Sequence, residues 1–196
     1  ANNGTTQLGN YNGIPSKNAT LLDALRAEKG IEVVYDSISD FITLQPGIDL
    51  QHYAEKYKDV DLIIYAGGIS ALLEGEEGDT GNVEGFYRGD RTTINLPAVQ
   101  TQVMQMLQKS GKPMIFICMS GSAIAFNWES QHIPAIIQAW YGGQAAGTAL
   151  ADILFGRYNP SGKLPITFYR SDSDLPAIED YSMKNRTYRY FNGDVL

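Results

Sequence analysis

Short apolar segments rich in Ile and Val alternate along this chain with stretches of helical period, and that alternation restricts the fold more than any other feature. Glu32–Tyr35, Asp61–Ala66, Pro113–Ser120, Pro134–Trp140 and Leu164–Phe168 have strand length and strand composition. The middle three are apolar on both faces, the pattern of strands buried inside a parallel sheet. Between them, Leu21, Leu22 and Leu25 line one face of a short helix that ends at Gly30, with Thr20 as its N-cap. Val99, Val103, Met106 and Leu107 fall at helical spacing before the stop Ser110-Gly111, and Ala145–Leu154 offers a third helix closed by Gly156. Strand and helix alternating in this way predict an α/β fold, a three-layer α/β/α sandwich around a mainly parallel sheet. The 196 residues, 43% of them hydrophobic, suffice for a single domain over 1–196 with its own core.

Charge and composition exclude several function classes. The net charge is -7 with no run of Lys or Arg, so no basic face is available for nucleic acid. The longest apolar stretches, Leu62–Ala66 and Met114–Met119, fall far short of the roughly 18 residues a membrane span requires. Cys118, the single cysteine, sits in Met-Ile-Phe-Ile-Cys-Met and reads as a small core residue. His52 and His132 lack a companion at metal-ligand spacing, so no metal is expected. Gly67-Gly68 follows a strand, but no Gly-Lys-Ser/Thr comes after it, and a phosphate cradle fails there. No cofactor is expected. The chain opens at Ala-Asn-Asn-Gly with no visible signal peptide, as at a processing boundary, and a secreted or periplasmic location is the expectation.

Gly67–Asn95 breaks the rhythm. It is long, acidic and glycine-rich, and connections of that length are usually functional. In open α/β sheets ligands gather beyond the carboxyl ends of the strands, and this stretch leaves such an end. It places Glu74, Glu76, Glu77 and Asp79 within six residues. Glycosidic cleavage needs one carboxylic acid to protonate the leaving oxygen and a second carboxylate to stabilise or attack the sugar. Crowded carboxylates suit the first role, since like charges raise one another's pKa. By composition alone, a solvated acidic loop or a weak calcium site reads as well. At the loop's returning end, Asp90-Arg91 reads as a local pair or an anchor.

The run Pro134–Phe168 carries Ala-Trp-Tyr-Gly-Gly-Gln, Ala-Leu-Ala-Asp-Ile-Leu-Phe-Gly and Asn-Pro-Ser-Gly-Lys-Leu-Pro in that order. Ser120-Gly121-Ser122, Asn127-Trp128, Gly89-Asp90-Arg91-Thr92 with Leu96-Pro97, and Gly9-Asn10-Tyr11-Asn12-Gly13 precede it. Together these resemble the C-terminal α/β-sandwich domain of family 3 glycoside hydrolases, of the β-xylosidase or β-glucosidase kind, over nearly the whole chain. Trp140–Gln144 and the turn Asn159-Pro160-Ser161-Gly162 read as structural, the glycines allowing a helix to pack tightly on the sheet.

The resemblance implies a retaining exo-acting β-glycosidase that removes terminal β-linked xylose or glucose. It places the nucleophilic aspartate on a separate N-terminal barrel domain, the partner of this one, and the acid/base glutamate on the acidic loop. The matching acid/base position is Glu74, with Glu76 and Glu77 as close rivals. It also places a first strand before Ala1 and a Tyr-Pro-Phe-Gly-type segment after Leu196, so the sheet is expected to lack its first strand and show an unpaired edge. The chain alone is expected to be inactive. The loop sequence and the Gly-Asn-Tyr-Asn-Gly opening lean towards xylosidases. The alternative is a non-catalytic carbohydrate-binding or interaction module of the same fold.

Overall fold

The computed structural model describes residues 1–75 and 82–195. Its central element is β4 (Met114–Met119), flanked in parallel by β1 (Ile63–Gly68) and β5 (Ala135–Gln138) in the order β1-β4-β5. Ile63 stands opposite Met114 and Gly68 opposite Met119, while Ile115 faces Ala135 and Cys118 faces Gln138. Phe116, Ile117 and Cys118 are 0% exposed, so β4 is covered on both faces. Successive side chains point to opposite faces of a strand. Met114, Phe116 and Cys118 accordingly enter one core cluster, and Ile117 and Met119 enter another.

Helices cover each face. Val103, Met104 and Leu107 of α3 (Ala98–Gln108) fill the first cluster, with α2 (Leu50–Lys56) against α3. Leu21 and Leu25 of α1 (Leu21–Arg26) and Leu150 of α5 (Ala146–Leu154) fill the second. The three-layer sandwich is thus present. Short α4 (Glu129–His132) and α6 (Thr187–Tyr190) complete the helices, and an antiparallel hairpin joins β2 (Phe86–Tyr87) to β3 (Asp90–Arg91). Its turn residues Arg88 and Gly89 have φ of 52 and 96, the left-handed pair that a tight two-residue hairpin requires.

Local signals act where expected. Thr20 and Asp23 form a reciprocal capping box that starts α1, and Gly111 and Gly156 take positive φ after α3 and α5. In α3 it is Met104, rather than Met106, that is fully buried. α2, capped by the Asp49 carboxylate on Gln51 N–H, has no strong apolar stripe and escaped the sequence reading.

Two expected strands are absent among the described residues. Glu32–Tyr35 has strand composition, but Val34 and Tyr35 are exposed and no described strand bonds to the segment. A strand is defined by its ladder, and β1 is paired on one side only, to β4. Leu164–Phe168 fails differently: Pro165 removes a backbone donor, and Leu164 and Ile166 face solvent. β5 is an edge strand, half-buried rather than enclosed.

The α1–α5 contact closes on Gly147, where a Cβ would stand 2.3 Å from the Thr20 carbonyl carbon and oxygen. Helix propensity alone favours Ala over Gly by about 1 kcal/mol. Backbone cannot yield as a side chain can, so overpacking of about 1–3 kcal/mol outweighs that gain. Gly147→Ala is therefore expected to lower Tm in a thermal melt.

Candidate active site

Beyond the carboxyl end of β1 the chain makes one tight turn before the acidic stretch. Ile69 N–H donates to Met119 O at 2.8 Å, and the N–H groups of Leu73 and Glu74 donate to Ser70 O at 2.9 and 3.0 Å. Ile69, Ser70 and Ala71 are buried, so the turn is fixed to the sheet and Glu74 leaves it from a rigid base.

Both oxygens of the half-buried Glu74 carboxylate are engaged from the neighbouring strand ends. Gly121 N–H donates to Oε2 at 2.8 Å, and the Tyr141 hydroxyl donates to the same oxygen at 2.6 Å. The Ser122 hydroxyl donates to Oε1. Gly121 and Ser122 follow β4 and Tyr141 follows β5, so one carboxylate ties together the carboxyl ends of all three parallel strands. A Cβ at Gly121 would lie 3.0 Å from both Glu74 Oε2 and the Tyr141 ring, so a side chain here would press on the carboxylate and the ring. Burial, then the neighbouring carboxylate, pushes the Tyr141 phenol well above its ordinary pKa, so it remains a donor.

Arg91 supports the cluster from β3. Its Nη1 donates to Ser122 Oγ at 2.9 Å and to Ala123 O at 2.7 Å, and its Nη2 donates to Asn95 O at 3.2 Å. Burial lowers the guanidinium pKa, against the attraction of Glu74 and Asp172. Arg91 anchors the returning end of the long stretch, as expected; its partners are 31 and 32 residues away in sequence. Behind it, Asp172 accepts from Thr93 Oγ1 at 2.6 Å and Ile94 N–H at 2.7 Å, fastening the chain after the hairpin to the C-terminal region. Gln138 at the end of β5 donates to Ser120 Oγ at 2.9 Å, and Ser120 donates to Ser122 O at 2.8 Å.

Glu76, Glu77 and Asp79 lie outside the described residues. Cys118 is buried in the core, and burial pushes its thiol pKa up. His132 stacks on Trp128, with ring centroids 4.7 Å apart, and its Nδ1 meets Trp128 O at 2.8 Å. Among the described residues no group of three His, Cys, Asp or Glu side chains could hold a metal ion, and no helix is long and apolar enough to cross a membrane. Two surface cavities, one lined by Phe86, Arg91, Thr93 and Leu96 and one between α3 and Trp128, do not include Glu74.

A sequence model of the Glycosyl hydrolase family 3 C-terminal domain matches residues 1–196. The chain belongs to this family. It is 48% identical over 179 residues to a xylan 1,4-β-xylosidase of Xylanibacter ruminicola, covering 86% of this chain and 21% of that protein. It is 30% identical over 199 residues to a periplasmic β-glucosidase of Salmonella typhimurium, covering 96% and 24%. Among solved structures, a family 3 exo-β-xylosidase in complex with a xylobiose aziridine probe superposes with TM-score 0.82 at 26% identity, covering 100% of this chain and 25% of that one. A Listeria innocua β-glucosidase in complex with isofagomine gives 0.72 at 25% identity, covering 89% and 23%. The chain therefore spans about a fifth to a quarter of the relatives it matches.

The family resemblance picked out Glu74 by position, and the fold brings it to the carboxyl edge of the sheet. Ser122 and Tyr141 were visible only as parts of motifs that carried no role. The available signal was that each motif begins where a parallel strand ends. Replacing Arg91 by Met removes three bonds of a largely buried cation, and bonds to charged groups contribute about 1.5–3 kcal/mol each. Arg91→Met should lower Tm and expose the 82–95 segment to limited proteolysis, both measurable on the isolated domain.

Proposed function

We propose that this domain supplies the acid/base carboxylate of a retaining exo-acting β-glycosidase, with Glu74 as that group and the nucleophilic aspartate on a barrel domain elsewhere in the same protein. The observation that carries the reading is the fixed position of Glu74 at the carboxyl edge of the parallel sheet, reached through the turn after β1. Family membership supports it, and so do relatives described as β-xylosidase and β-glucosidase.

In a retaining mechanism the acid protonates the leaving glycosidic oxygen while the partner carboxylate attacks the anomeric carbon. The resulting carboxylate then takes a proton from the water that releases the sugar. A general acid must come within hydrogen-bond reach of the oxygen it protonates. Glu74 meets that need only when a sugar is presented to the edge by another body, which is why the site belongs to an assembled enzyme. The xylosidase relative at 48% identity favours a terminal β-linked xylose over glucose. Action outside the cytoplasm is favoured by the periplasmic relative.

Loss of a general acid hurts poor leaving groups most, since activated aryl leaving groups need little protonation. In the parent enzyme, Glu74→Ala should reduce turnover of xylobiose by about 10²–10⁴-fold. Activated aryl xylosides should suffer far less, and azide should restore turnover by forming a glycosyl azide. Uniform loss over all leaving groups without azide rescue would make Glu74 the anchor of the acidic stretch. The acid/base role would then pass to Glu76 or Glu77, to be read from Glu76→Ala and Glu77→Ala in the same assay. The isolated 196-residue chain should hydrolyse neither substrate; turnover by the purified chain would contradict the divided site.

A further inference from the structure

The Ala-Trp-Tyr-Gly-Gly run after β5 contains the most unfavourable backbone conformation near the site. Trp140 has φ of +54, a left-handed conformation that costs a bulky aromatic residue energy and persists only where its surroundings impose it. Its ring packs edge-to-face on Phe168, with centroids 6.0 Å apart at 82°. The two adjacent aromatic side chains enter opposite faces of the sheet. Trp140 packs on the cluster of Phe116 and Phe168, and Tyr141 packs on the cluster of Ile117 and Met119. From there the Tyr141 hydroxyl reaches Glu74 Oε2 at 2.6 Å. A Cβ at Gly9 would lie 3.3 Å from Tyr141 Cβ, so the Gly-Asn-Tyr-Asn-Gly opening also closes on this side chain.

We propose that Tyr141 is a positioning residue for the acid/base carboxylate, and that by sharing Oε2 with Gly121 N–H it leaves Oε1 as the oxygen that carries and passes the proton. The inference rests on the assignment of Glu74 as the acid/base. A carboxylate offers about four lone-pair directions. Two donors occupy Oε2, and one of them, a backbone N–H, can never become an acceptor. A proton placed on Oε2 would take one of the two directions these donors fill and force the Tyr141 hydroxyl to give up donating. Oε1 receives one donor, the Ser122 hydroxyl, whose oxygen accepts from Arg91 and so directs its single proton towards the carboxylate. Among the described residues nothing else donates to Oε1, which keeps one direction for a proton. Tyr141 fixes the rotation of the carboxylate about its own axis and with it the aim of that oxygen.

The test is Tyr141→Phe in the parent enzyme, which removes one oxygen and keeps the ring, with Ser122→Ala as the second variant and Tyr158→Phe, at an exposed position, as control. Misaim of a proton donor is expected to cost about tenfold or more in kcat on xylobiose, with KM within about twofold. Activated aryl xylosides should change less than about threefold, because they need little protonation. Ser122→Ala should show the same dependence on leaving group. Equal loss on both substrate classes with a lowered Tm would reduce Tyr141 to a packing residue and overturn the inference. So would unchanged kinetics in Tyr141→Phe while Glu74→Ala shows leaving-group dependence and azide rescue. Absence of that signature in Glu74→Ala itself overturns both the assignment and the inference, which separates the two failures.

Discussion

The burial of β4 on both faces is the constraint from which the rest of the structure follows. A strand with nothing but apolar side chains on either side needs a helical layer on each face and a parallel neighbour on each edge. Once β1 and β5 lie parallel to it, the ends of all three strands open on one side of the molecule. Every residue of the candidate site is drawn from that side. The site is a by-product of sheet polarity before it is anything chemical.

What the sequence disclosed depended on whether a feature is local or paired. The Thr20–Asp23 cap, the glycines that end α3 and α5, and the core position of Cys118 are set by residues within a turn or by a strand's own pattern, and all could be read directly. Glu32–Tyr35 has equally good strand composition, but a ladder needs a second strand and composition cannot say whether one stands beside it. Leu164–Phe168 was misread because its apolar residues outweighed the meaning of Pro165. α2 went unseen because its residues lack a buried stripe and its stability comes from lying against α3.

The site divides in the same way. Glu74 was singled out, with Glu76 and Glu77 as rivals, by the likeness of its acidic loop to the family's, and Arg91 by its place at the end of the long stretch. The bonds that give these residues meaning join positions 47, 48 and 67 residues apart on the Glu74 side, and no local pattern encodes such pairings. Tyr141 was hidden by its motif: flanking glycines made the run look like a turn built for packing. What takes it beyond packing is its hydroxyl bond to Glu74, a partner no local pattern announces.

The long excursion after β1 has two feet, Glu74 clamped to the ends of β4 and β5 and Arg91 fastened to Ser122 and Ala123. Closing a flexible loop costs only about 0.6 kcal/mol more for each doubling of its length. With both feet bound to residues at the strand ends, added length between Glu74 and the hairpin shifts the register of no parallel strand, while Phe86 holds the hairpin in the core. Variation in the length of that excursion is thereby uncoupled from the folding of the sandwich beneath.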